Sequence, residues 1–433
     1  MSAEVRAGYK RTDVGLIPED WESTTIGGIA SSTRNAIVGG PFGSDLVATD
    51  YVSDGVPVIR GQNMSGPAVS GAFAFVTMQK AKSLSANLAH PGDIVVTQRG
   101  TLGQVSLVPA HPYAAYLISQ SQMKVTLDPD QADPLFYYYV LSSELHQRII
   151  SLSAIQTGVP HINLGILRRI PVQRPPVGEQ TAIAAVLGQI DALIRALDQL
   201  VAKKRGLKQA AMQQLLTKQS RLATFSGSWR QVLLADVIAS LEAGVSVNAD
   251  SGEQGNDAHE ISILKTSALS GGRFDPAECK KIAAVDIARA RLNPERDTIL
   301  ISRMNTPNLV GECGYVDRDY PNLFVPDRLW MTRFKRDAGL NALWLSYLLN
   351  TSSLKTQIAA AATGTSGSMK NLSKHAFLQI PILLPSIDEQ QAIAAVLADM
   401  DAELIALEAR RDKTLALKQA MMQELLTGNT RLV

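Results

Sequence analysis

A chain of 433 residues with 45% hydrophobic content is too long for a single compact core and too apolar to be disordered. Its net charge of +2 excludes a strongly basic domain that would draw nucleic acid from a distance. Cys279 and Cys313 are its two cysteines, which excludes a disulfide framework and a cysteine-based zinc cluster.

In chain order, the opening MSAEVRAGYKRTD lacks the apolar core of a signal peptide. No apolar run reaches the roughly eighteen residues of a membrane span. A cytoplasmic protein is expected. Residues 1–176 read as a mixed α/β globular half. VPVIR (56–60), DIVVT (93–97) and SQMKVTL (121–127) are short β-rich runs, and PLFYYYVLSSELHQRIISL (134–152) has helical spacing. Gly39-Gly40-Pro41 marks a flexible loop. After Pro175-Pro176 a long helix is expected over 177–222. Residues 223–386 form a second mixed α/β half, with a strand at TILIS (298–302), helical spacing over 340–360 and a loop at Gly364-Thr365-Ser366-Gly367. Past Pro385 a second long helix covers 387–433.

The two long helices are copies. EQTAIAAVLGQIDALIRAL from Glu179 matches EQQAIAAVLADMDAELIAL from Glu389, and LKQAAMQQLLT from Leu207 matches LKQAMMQELLT from Leu417. At this offset of 210, 24 of 44 positions are identical, which makes the duplication the organising fact of the chain. In the first helix Ile183, Ile190 and Leu197 form one row, and Val186, Leu193, Leu200 and Leu207 its companion. The second keeps Ile393, Val396, Met400, Leu407, Leu417 and Met421. These rows read as an a/d seam that needs a partner helix. The first helical segment holds 7 basic and 3 acidic residues, and the second 5 and 8. Opposite charge favours their pairing as an antiparallel coiled coil, with two helices packed on separate domains as the alternative.

The repeat extends outside the helices. Trp21-Glu22 has a counterpart in Trp229-Arg230, and both tryptophans read as core. Gly92 to Arg99 parallels Arg296 to Arg303, and Thr157 to Pro171 parallels Thr363 to Pro381, which sets Asn163 against Asn371 as scaffold turns. The chain is therefore a pseudo-twofold internal repeat, with similar scaffolds and divergent loops.

YKRTDVGLIPEDWE (9–22), GVPVIRGQN (55–63), GDIVVTQRGTLG (92–103) and the doubled EQ-x-AIAAVL and LKQA-x-MQ-x-LLT helices resemble the specificity subunits of type I restriction–modification systems over essentially the whole length. The resemblance implies two target-recognition domains that each read half of a split double-stranded DNA site. It also implies helices that act as spacer and platform for two methyltransferase subunits, and restriction subunits in a larger assembly. S-adenosylmethionine, ATP and Mg²⁺ would then belong to those partners, with no cofactor on this chain.

Catalytic motifs are missing. Arg174-Pro175-Pro176-Val177 lacks the acid or amide that would accept a target amine's hydrogens, and Gly40-Pro41-Phe42-Gly43-Ser44 is an isolated turn. No G-x-x-x-x-G-K-[ST] loop occurs. Glu278-Cys279-Lys280, with Asp257 or Asp275 upstream, mimics a nuclease triad but reads as a solvated turn. The histidines, His259 among them, show no metal-ligand spacing. A non-catalytic binder is the leading reading. A coiled-coil scaffold without DNA preference, or a fused nuclease, are the alternatives.

DNA contacts require polar or basic loop residues that reach phosphates or base edges. In the first half these are Arg60, Gln62, Asn63, Gln98, Arg99, Thr101, Lys124 and His161. In the second they are Lys265, Arg303, Asn305, Arg328, Ser368, Lys370 and Lys374. Each can equally be a solvated or framework-bonding side chain. With such neutral recognition halves, tight DNA binding is expected only when methyltransferase partners close around the duplex.

Overall fold

A computed structural model describes residues 6–248, 261–364 and 369–432. Its chain divides into two compact units, Met1–Asp198 with Ala409–Val433, and Gln199–Glu408. The long helices are Val177–Leu216 and Ile387–Leu426, so each unit owns part of both.

In the first unit an antiparallel sheet runs in the order Val105–Leu107, Ile94–Thr97, Gln122–Val125, Ile37–Gly39. Strand Ile94–Thr97 is buried on both faces: Ile94 and Val96 join the core around Trp21 and Tyr137, while Val95 joins a second cluster with Tyr116 and Ile118. That double burial is why the strand reads as an unbroken apolar run. A second sheet pairs Val56–Ile59 in parallel with Tyr116–Ile118. The helical stretch 134–152 is two helices, Pro134–Ser142 and Glu144–Ser153. Ser143 turns extended and its hydroxyl accepts from the His146 N–H, capping the second helix and ending the first.

The second unit repeats the plan. Its antiparallel sheet runs Ile238–Ala243, Leu329–Phe334, Thr298–Ser302, Cys313–Val316. Ser262–Leu264 pairs in parallel with Leu323–Phe324. The stretch 340–360 is again broken, into Ala342–Leu349 and Ser352–Ala361.

The residues that made the repeat visible close each unit onto its helices. In the first, Trp21 Nε1 donates to Glu179 Oε2 at 2.9 Å, and Arg431 grips the same carboxylate at 2.5 and 2.8 Å. In the second, Trp229 Nε1 donates to Glu389 Oε2 at 3.1 Å, and Arg221 binds Glu389 at 2.9 and 2.6 Å. Both glutamates are 1% exposed, so only a charge partner and a full set of donors make their burial tolerable. The adjoining glutamines fix the sheet-side helices: Gln180 Oε1 accepts from Asp133 N and Gln390 Oε1 from Asn341 N. A third pair matches as well. Tyr139 donates to Asp191, which Lys418 also binds, and Tyr347 donates to Asp401, which Lys208 binds. Burial first, then the adjacent carboxylate, push both phenols far above their ordinary range, so they remain donors at any physiological pH.

Partner numbers descend as the first helix ascends. Glu179 meets Arg431, Asp191 meets Lys418 and Asp198 meets Arg411 in the first unit. In the second, Lys204 meets Glu403 and Lys208 meets Asp401. The expected apolar seam needs correction. Ile183, Leu197 and Ile393 are buried, and Val186, Ile190, Met400, Leu407 and Met421 are half-buried. However, Leu193, Leu200 and Leu207 are 40%, 38% and 48% exposed, and Val396 and Leu417 38% and 53%. The inward companion row stands four residues on from the first row: Leu187, Ile194 and Val201, with Leu397, Leu404 and Leu425 in the copy. At about 100° per residue the i+3 and i+4 rows flank the first row on opposite sides, and both are apolar in the first helix. By length and composition, Val177–Leu216 also contains a window apolar enough to cross a membrane. Its inward face instead packs on protein and carries the ion pairs just named.

Candidate nucleic-acid interface

In the first unit several strands end at one edge. Ser119 N donates to Ile59 O, Gln98 N to Ser121 O, and Gly40 N to Gln122 O, which brings the ends of five strands together. Gly40 is required there, because a β-carbon would lie 1.9 Å from the Ser119 carbonyl oxygen. Past it the loop projects Phe42, 85% exposed, and Gln120 Nε2 holds the loop through Gly43 O at 2.9 Å. Arg60, Gln98 and Arg99 sit on this edge, and His161 joins through a backbone bridge to Arg99. Arg60 Nε has no hydrogen-bond partner, and exposed Arg99 makes no ion pair among the described residues. Gln62 is exposed and donates to Ala72 O, and Thr101 is exposed on the following turn.

Two first-half expectations are corrected. Asn63 is 1% exposed; its Oδ1 accepts from Arg60 N and its Nδ2 donates to Ser70 O and Ala72 O. Its hydrogen-bonding capacity holds the turn, leaving little for a base. Lys124 is 6% exposed and is spent on Asp93 at 3.3 Å, because it lies mid-strand opposite Val95 and not at the strand ends.

In the second unit Arg303 N donates to Arg328 O, and Leu372 N to Arg303 O. Asn305 pairs with Lys370 across a short ladder, so Arg303, Asn305, Arg328 and Lys370 lie together. Arg303 Nε is buried with no hydrogen-bond partner among the described residues, and Arg328 is exposed. Asn305 is partly engaged, donating to Ser302 Oγ and accepting from Thr306 N. Lys374 is exposed at the start of Lys374–Leu378. Lys265 is tied to Glu278 at 3.6 Å, which also accepts from Ser267. Glu278 therefore belongs to a turn and Cys279 is buried. Ser368, Asp257 and His259 lie outside the described residues.

Strand register revises the equivalences between halves. Val96 faces Met123 and Val105, as Ile301 faces Trp330 and Cys313. Counting on, Gln98 and not Arg99 is the counterpart of Arg303, and Arg99 corresponds to Met304. Asn163 caps helix Leu164–Arg169, a place taken in the second unit by Ser373. Asn371 instead matches His161 and is exposed in a strand beside Met304. Asn371, Gln120 and Phe42 were missed by sequence reasoning. For Asn371 the signal was present, since the helix offset of 210 already sets Asn163 against Ser373.

Comparison with known proteins agrees with this architecture. The family model for the type I restriction modification DNA specificity domain matches residues 18–203 and again 214–417. The MjaVIII specificity subunit of Methanocaldococcus jannaschii is 21% identical over 96% of this chain and 94% of its own length. The EcoKI specificity subunit of Escherichia coli is 22% identical over 95% of this chain and 89% of its own. The crystal structure of the S subunit from M. genitalium superposes with a TM-score of 0.60 at 16% identity, covering 94% of this chain and 96% of that one. With both halves matched by the same model, the chain belongs to the type I restriction–modification DNA specificity family.

Proposed function

We propose that this chain is the sequence-specificity subunit of a type I restriction–modification complex and reads a bipartite, asymmetric DNA target. Residues 1–176 and 223–386 are the two recognition domains. The segments 177–222 and 387–433, with their helices Val177–Leu216 and Ile387–Leu426, form an antiparallel coiled-coil spacer on which two methyltransferase subunits dock, with restriction subunits joining them in the cytoplasm. The chain contributes recognition and no catalysis. S-adenosylmethionine, ATP and Mg²⁺ are assigned to the partners. One observation carries the reading: the same strand-end framework occurs twice, presenting Arg60, Gln98, Arg99 and His161 in one unit and Arg303, Arg328, Lys370 and Asn371 in the other. Guanidinium and amide groups at strand ends are the groups that read base edges and phosphates. The leucines left outside the seam, Leu193, Leu200 and Leu207, offer an apolar face to docking partners.

Methylation mapping on random-sequence DNA with the subunit and its methyltransferase tests this. A two-part motif with a fixed gap and different halves is expected. A single continuous motif, or methylation without sequence preference, sides with the scaffold reading.

A further inference from the structure

One backbone position is built identically in both units and filled differently. After the doubly buried strand Ile94–Thr97, Gln98 donates its N–H to Ser121 O and accepts at its carbonyl from Ile162 N. After Thr298–Ser302, Arg303 donates its N–H to Arg328 O and accepts from Leu372 N. The residue before each, Thr97 or Ser302, donates its N–H to Gln104 O or Glu312 O, so the register agrees on both sides. Each side chain therefore leaves a backbone pinned in both directions, and the two differ in donor pattern. Gln98 Nε2 gives one hydrogen to Gln120 O at 2.6 Å, and among the described residues nothing engages the second hydrogen or Oε1. That remaining donor–acceptor pair matches adenine N7 and N6–H. Arg303 is half-buried, with Nε buried and no bond to its terminal guanidinium nitrogens among the described residues; those nitrogens offer donors alone, which match guanine O6 and N7.

Resting on the DNA-reading function above, we infer that Gln98 and Arg303 are the matched specificity-determining positions of the two units, Gln98 selecting adenine in one half-site and Arg303 guanine in the other. Exchange of the side chain exchanges the base and leaves the other half-site alone.

The test is methylation mapping with the subunit–methyltransferase complex carrying Gln98→Arg or Arg303→Gln. Q98R is expected to turn one adenine preference of one half-site into guanine, and R303Q one guanine preference of the other into adenine. Each shift should be about 5- to 150-fold, the size of one bidentate base contact. A folded, active variant with the parental motif overturns the inference, and so does a change in both half-sites. Should an exchange variant lose its melting transition, Gln98→Ala and Arg303→Ala replace it. Those should relax preference at a single base, and an unchanged motif again overturns the inference. Failure of the parental complex to give any two-part motif would instead sink the underlying function.

Discussion

The two units share their closures and differ in how their loops are held. Trp21–Glu179–Arg431 and Trp229–Glu389–Arg221 are the same device twice. The turn after the parallel strand is not: buried Asn63 bonds three backbone groups in the first unit, while its counterpart in the second is Ala268, 0% exposed. The basic residue at the start of that turn makes no ion pair among the described residues at Arg60 but is bound to Glu278 at Lys265. Under the capped helix, His146 in the first unit stands where the second has Leu354, both buried. Sequence identity between halves therefore tracks the helix attachment, while the strand-end edge keeps its backbone framework and carries different side chains in each.

The largest test strikes what is shared. Glu179→Ala and Glu389→Ala should each destabilise their own unit by roughly 3 kcal/mol, since each leaves a buried indole N–H without its acceptor and an arginine with only its second partner, Asp20 for Arg431 and Gly227 O for Arg221. Urea unfolding with unit-specific probes reads it, and losses under about 1 kcal/mol would show that the closures are ornamental.

Acid separates the units next. Burial pushes His146 down to about 4 from 6.5, outweighing its bond to Pro171 O. A base depressed in the folded state leaves stability intact above pH 6.5 and removes it as pH falls towards 4, because the unfolded chain takes the proton first. The first unit should lose on the order of 3 kcal/mol across that window through this residue. His146→Leu, the second unit's own solution, should flatten its pH profile. An unchanged slope in that variant would place the acid sensitivity elsewhere.

Asn63→Ala is expected to cost about 1–3 kcal/mol in the first unit by leaving Arg60 N and Ser70 O without their side-chain partner and Ala72 O with Gln62 alone. Arg60→Ala at the neighbouring position should leave unfolding nearly unchanged and weaken DNA binding. Equal stability losses in the two variants would erase the distinction between framework and reader.

The smallest effects belong to the exposed guanidiniums. Arg99→Ala and Arg328→Ala should shift stability by less than about 0.5 kcal/mol and lower the salt slope of DNA binding by about one each. A parental slope in both would remove them from the phosphate contacts.

Much of this organisation was legible in the sequence. The duplicated helices, the strands at 56–59, 94–97, 122–125 and 298–302, and the breaks at proline all follow from periodicity and composition. What escaped has specific causes. Leu193 and Leu187 are equally apolar, so only the partner's position tells which row turns inward. Lys124 and Asn63 are polar residues near reading loops, and their burial depends on Asp93 and on carbonyls brought close by the fold. Aligning the strands by sequence put them one residue out of their observed register, which set Arg99 beside Arg303 and hid Gln98 as the true counterpart.

The leucines displaced from the seam also bear on how the chain behaves in a test tube. Leu193, Leu200 and Leu207 recur every seven residues along one uninterrupted helix, each more than a third exposed. A row of that kind left uncovered is adhesive to any similar row, including that of another copy. Expressed without companions, the chain should form concentration-dependent aggregates, and co-expression with whatever covers the row should raise its soluble yield.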